Sequence, residues 1–105
     1  MSGEFDDGVV LALLSDAELM EQLWDDLRDG YGGEIVDGVH ILLNRGWEPD
    51  QIVGRVLAAG MRGALDEFSA GELSAGELVL CADALQAGMD VLRPYLPQPG
   101  DLPLD

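Results

Sequence analysis

The apolar positions of this chain recur at helical spacing. Leu19, Leu23 and Leu27 follow one another every four residues, with Met20 and Trp24 beside them, so one face of this stretch is apolar. Ser15 stands ahead of it with Glu18 three residues on, a capping box that predicts a helix start, and Gly30 predicts its end. From Glu34 to Arg45 a second stripe runs through Ile35, Val39, Leu42 and Leu43; Arg45 suits a helix C-terminus and Gly46 the C′ position after it. "WEPDQ" restarts the chain, with Pro49 near a first helical position. Ile52, Val53, Val56, Leu57, Met61, Leu65 and Phe68 then hold the period of a third helix. Gly54, Gly60 and Gly63 lie inside it, each costing up to ~1 kcal/mol relative to alanine, which predicts close helix approach or a kink near Gly60. A last helix over 76–93 places Leu78, Cys81, Leu85, Met89 and Leu92 in register, and Pro94 closes it. No segment alternates as a strand does. The expectation is an all-α four-helix bundle with short connections.

Around that bundle, residues 1–14 read as an acidic lead-in with a short apolar turn at Val9–Leu14 packed on the body. Residues 15–94 form the helical domain, and 95–105 a proline-rich tail. Between the third and fourth helices the word "SAGEL" is written twice, over 69–73 and 74–78. A five-residue step leaves two positions of a straight helix roughly 140° apart, so Leu73 and Leu78 cannot share one buried face of a continuous helix. The doubled word therefore predicts a joint between helices, and it is far shorter than the period of a repeat architecture.

Composition narrows the function classes. At 105 residues the chain is one domain at most. Its net charge of −16 comes from 21 acidic residues against five arginines, with no lysine. That field repels phosphate backbones and anionic lipid, so neither nucleic acid nor a membrane surface is expected as a partner; it suits solubility and a basic protein partner. Acids at Glu4, Asp6 and Asp7 stand where a signal peptide would be basic, and the apolar run over 9–14 is too short for an export core or a membrane span, which predicts a cytoplasmic protein.

Candidate chemistry is sparse. His40, the one histidine, sits beside the stripe of the second helix, where a catalytic or metal-binding role needs a partner from elsewhere in the fold. Cys81, the one cysteine, falls on the buried register of the last helix, the position of a small hydrophobe; no disulfide and no cysteine-cluster metal site is possible within the chain. The acidic pairs Asp6–Asp7 and Asp25–Asp26 lack the spacing of a calcium loop, and the Glu-x-x-His pairs of di-iron bundles are missing. Without lysine there is no phosphate-binding glycine loop of the usual kind. The residues describe an acidic helical domain with no catalytic or metal site of its own and no enzymatic activity.

From Leu23 to Pro94 the chain resembles the helical cap module of cobalamin-binding methyl-carrier proteins, the family of the methionine synthase cobalamin module and of methyltransferase-cognate corrinoid proteins. The resemblance is carried by "DDLRDG", "EIVDGVHILLNRGWEPDQIV", "AAGM" at 58–61, and "DEFSAGE" leading into "LCADALQAGMDVLRP". It implies a four-helix bundle sitting over the upper face of a corrin ring, which a following α/β domain holds from below through an Asp-x-His-x-x-Gly motif. That motif does not occur here. At the turn into the last helix the family reads Phe-Leu-Pro-Glu or a close variant, and here the matching residues are Ser74, Ala75, Gly76 and Glu77. The resemblance thus assigns any corrin contact to Leu73, Ser74, Ala75 and Glu77, with Phe68 supporting them, and implies cobalamin as cofactor without tight binding by this chain alone. Three functions stay open: a cap component acting with a separate cobalamin domain or methyltransferase, a stand-alone helical interaction or regulatory module derived from such a cap, and a truncated relative without an independent role.

Overall fold

The computed structural model describes residues 11–97, so the start of the lead-in and the end of the tail lie outside the described residues. Four helices carry the architecture: α1 (Asp16–Arg28), α2 (Gly32–Asn44), α3, and α4 (Ala75–Leu92), followed by a 3-10 turn at Arg93–Tyr95. Helix α3 is continuous but composite. It runs as α over Pro49–Ile52, as π over Val53–Ala58 and as α again over Ala59–Ser69. No strand occurs among the described residues, and the predicted all-α four-helix bundle is the fold.

The ends of the helices are set locally. Ser15 Oγ accepts from the Glu18 N–H at 3.2 Å and Glu18 Oε1 accepts from the Ser15 N–H at 3.0 Å, the reciprocal box read from the sequence. Pro49 occupies the first turn of α3, where its missing N–H costs nothing, and Gln51 Oε1 accepts from the Glu48 N–H at 3.0 Å. Helix α2 begins two residues before the predicted Glu34. Gly32 enters its first turn, where an added Cβ would stand 3.6 Å from the Cβ of Ala87 on α4. At the far end the helical course does not stop at Pro94: it tightens to 3-10 through Tyr95, and the half-buried Leu96 packs on the core.

The core is a single cluster. Helix α1 gives Leu19, Leu23 and Leu27, α2 gives Ile35, Val39 and Leu42, and α3 gives Ile52, Val56 and Leu57. Ala84 and Leu92 of α4 and Leu11 of the lead-in complete it, the last as the apolar turn predicts. The helices approach closely where side chains are absent. A Cβ on Gly38 would run into both methyl groups of Leu23, and one on Gly88 would lie 2.8 Å from Ile35 Cγ2 and 3.1 Å from Leu57 Cδ2.

Helix α3 departs from the expected register. Leu65 and Phe68, read as part of its buried stripe, are 46% and 41% exposed, while Gly60 and Ala64 are buried. The π segment sets which residues line up on the buried face. Four residues of α-helix overshoot a full turn by about 40°, so residues four apart drift around the axis. The wider π turn removes much of that drift over one stretch. Ile52, Val56, Gly60 and Ala64 therefore stay in a column facing the bundle, and Leu65, one residue past Ala64, stands about 100° to the side of it. The indole N–H of Trp24 donates to the Arg55 carbonyl inside the segment at 3.1 Å, a donor from α1 where α3 changes its bonding step. The expected close approach at Gly60 is present: a Cβ there would meet Leu27 Cδ2 at 2.8 Å and Trp24 Cδ1 at 3.2 Å.

Arg45 does more than close α2. Its guanidinium donates to Asp16 Oδ1 at 2.8 Å and to the carbonyls of Ala12 and Leu14 at 3.1 and 2.7 Å. Trp47 Nε1 donates to the other Asp16 oxygen at 3.1 Å, and the Arg55 guanidinium lies 5.0 Å from the centre of the Trp47 ring. These bonds tie the entry turn to the α2–α3 loop, and the Arg45 hydrogen bond, aided by Trp47, holds the Asp16 carboxyl below its usual range. Among the described residues no helix is long and apolar enough to cross a membrane.

Candidate functional site

The doubled word is the joint between α3 and α4, and its two copies do opposite work. In the first copy Ser69 is the last helical residue, Ala70 the C-cap, and Gly71 takes φ +80°, a conformation a side chain would strain. Gly71 N–H bonds the Phe68 carbonyl at 3.0 Å and Glu72 N–H the Glu67 carbonyl at 2.8 Å, the paired bonds of a Schellman stop. In the second copy Ser74 is the N-cap of α4. Its Oγ accepts from the Glu77 N–H at 3.1 Å, and Glu77 Oε1 accepts from the Ser74 N–H at 2.8 Å. The Ser74 backbone N–H, and then its hydroxyl, favour the charged Glu77 carboxylate and hold it below the usual range. This second capping box was legible as Ser-x-x-Glu, in the same spacing as Ser15 to Glu18.

Of the four residues that the sequence nominates, Leu73 is half-buried, and Ser74, Ala75 and Glu77 are exposed on the same turn. Leu73 and Glu77 also line a depression of about 410 Å³. Tyr31 at the start of α2 and Leu80 on α4 form its apolar wall, although neither stands out in the sequence as a site residue. Asp29, Glu67 and Glu72 join Glu77 around it, and Arg28 is its one cation. Phe68 lies at the end of α3 with its ring partly in water, outside the residues that line this depression.

The other candidates are placed elsewhere. His40 is exposed on α2. Cys81 is buried, as its register predicts, and its thiol donates to the Arg28 carbonyl at 3.0 Å. Burial, and then the nearby Asp29 charge, push the Cys81 thiol up, so it is a poor nucleophile. No group of three or more histidine, cysteine or acidic side chains among the described residues is arranged to hold a metal ion.

The description "B12 binding domain" belongs to a family model that matches residues 19–93, from the middle of α1 to the end of α4. The chain belongs to the B12 binding domain family. The match covers the helical cap module of cobalamin-binding proteins, and in this B12 binding domain it takes in the whole α3–α4 joint. No curated protein and no solved structure matches the chain. How well the joint of this B12 binding domain suits a corrin can be judged from its side chains. The Ser74 hydroxyl and the Glu77 carboxylate are engaged with each other's backbone, Ala75 presents a methyl group, and Leu73 alone is a large apolar residue. Such a turn does not fit a water-excluding cover for an organometallic bond. Phenyl and branched aliphatic groups in place of Ser74 and Ala75 would add apolar contact worth a few kcal/mol at ~25 cal/mol per Å².

Proposed function

We propose that this chain is the cap-like, non-catalytic component of a corrinoid-dependent methyl-transfer system in the cytoplasm, acting with a separate cobalamin domain or methyltransferase. The observation that carries this reading is the family match, which runs unbroken from α1 to α4. When bound by such a partner, cobalamin supplies the cobalt that carries the methyl group. This chain supplies a helical wall, and Leu73, Ser74, Ala75 and Glu77 are the residues whose position on the joint suits contact with it. A bundle offering one polar turn and no lower ligand to cobalt does not hold the cofactor tightly alone. Titration of the full chain with hydroxocobalamin, followed by the visible spectrum, is expected to show no submicromolar complex. A submicromolar, base-off complex would overturn this part of the reading.

The small, self-satisfied joint favours a second reading, a stand-alone helical interaction or regulatory module that no longer meets cobalamin. The two separate when a cobalamin-binding α/β domain is supplied in trans with and without its cofactor. A cap component binds the loaded domain more tightly than the empty one. Equal binding to both supports the interaction module, and binding to neither removes the cap reading.

A further inference from the structure

We propose that the depression beside the α3–α4 joint docks a basic, apolar-anchored segment of a partner protein. Two large apolar groups face water there: Tyr31 is 54% and Leu80 53% exposed, and Leu73 of the joint lines the same depression. Both sit on fixed backbone. Gly30 at the α1–α2 turn comes so close to α4 that an added Cβ would stand 2.8 Å from the Leu80 Cβ, which pins the Tyr31 turn against the helix that carries Leu80. A preformed apolar wall of this kind costs little ordering on binding.

The rim decides the occupant. Asp29, Glu67, Glu72 and Glu77 surround the apolar wall, and Arg28 is the one cation among them. That guanidinium is divided between Glu67 at 3.5 Å, Asp25 at 3.6 Å and Asp29 at 3.8 Å, and so leaves an excess of negative charge. Burying Tyr31 and Leu80 under an acidic or uncharged partner would desolvate these carboxylates without compensation. Arginine or lysine on either side of an aliphatic or aromatic anchor meets both demands, and the −16 net charge steers such a segment toward the chain. The same field turns away nucleic acid and anionic lipid, which share the apolar or the charged chemistry but carry the wrong sign.

The test needs no cobalamin, so its outcome is independent of the corrin reading. The ¹⁵N-labelled full chain is titrated with an amidated hexapeptide alternating arginine and leucine, and with an arginine–glycine hexapeptide of equal charge. The arginine–leucine peptide should shift the amides of Tyr31, Leu73 and Leu80, and bind roughly tenfold more tightly than the glycine peptide. Raising salt from about 0.05 to about 0.5 M should weaken it by about tenfold. Leu80→Ser should weaken it at least about fivefold. Tyr31→Ser, which places a good capping residue at the α2 N-terminus, should act in the same direction and guards against a folding defect in either variant. Equal binding of the two peptides with shifts spread over every acidic face overturns the proposal, as does unchanged affinity in both folded variants.

Discussion

Two glycines with the same helical sequence context have opposite structural meanings. Gly88 stands where α2, α3 and α4 converge, and an added methyl would press on Ile35 and Leu57. Gly63 has nothing within 4 Å of its would-be Cβ. Gly88→Ala should therefore cost about 1–3 kcal/mol through overpacking, whereas Gly63→Ala should gain up to about 1 kcal/mol from helix propensity. Urea denaturation of both variants beside the parent chain checks the opposite signs. At this scale the sequence is legible where a residue acts on its own neighbours. The cap at Ser15, the C′ glycines and the burial of Cys81 all follow from local rules. The difference between Gly88 and Gly63 does not, because it depends on which helix arrives opposite.

Among the elements, α3 and the joint behind it are unequally legible in the sequence. The 3.6-residue period located α3 and its ends, but periodicity cannot register one stretch of wider turn. The π segment keeps Ile52, Val56, Gly60 and Ala64 in one buried column, and Leu65 and Phe68 lie partly exposed beside it. The pattern predicts the joint as a break, and its second capping box changes what can be engineered there. Ser74→Phe removes the N-cap of α4 and should lower stability by about 1 kcal/mol. Ala75→Leu adds apolar surface on an exposed first-turn position, leaves the cap intact, and should be close to neutral. Thermal melts of the two single variants followed by helical circular dichroism distinguish these outcomes. The Ala75→Leu variant is thus the cleaner one in which to look for stronger contact with a cobalamin domain supplied in trans.

For the molecule as a whole, a charge of −16 on so small a bundle makes its stability depend on ionic conditions. Screening the repulsion should raise the midpoint of thermal unfolding as sodium chloride rises from about 0.02 to about 0.3 M. Acidification acts on specific bonds. Asp16 is held below its usual range by Arg45 and Trp47, and Glu18 and Glu77 by their caps. A carboxyl whose folded pKa is depressed contributes stability above its unfolded value, and that contribution fades as pH falls through the folded value. The advantage of the parent chain over Asp16→Asn should accordingly be full at pH 7 and shrink below about pH 4. Melting the pair across that range checks it; an advantage that persists at the acid end would contradict the assigned bonds.

The joint between α3 and α4 also has a mechanical consequence. Four backbone amides within seven residues (those of Gly71, Glu72, Ser74 and Glu77) already have acceptors in the joint or in the last turn of α3. The corner is thus built as a bracket: it reverses the chain with its own parts and leaves little slack between the two helices it connects. A force applied by a partner at Leu73 or Leu80 would pass into both helices together and from there, through Gly88, into α2. Docking at this end of the bundle would then move the body as one piece instead of bending a flexible flap.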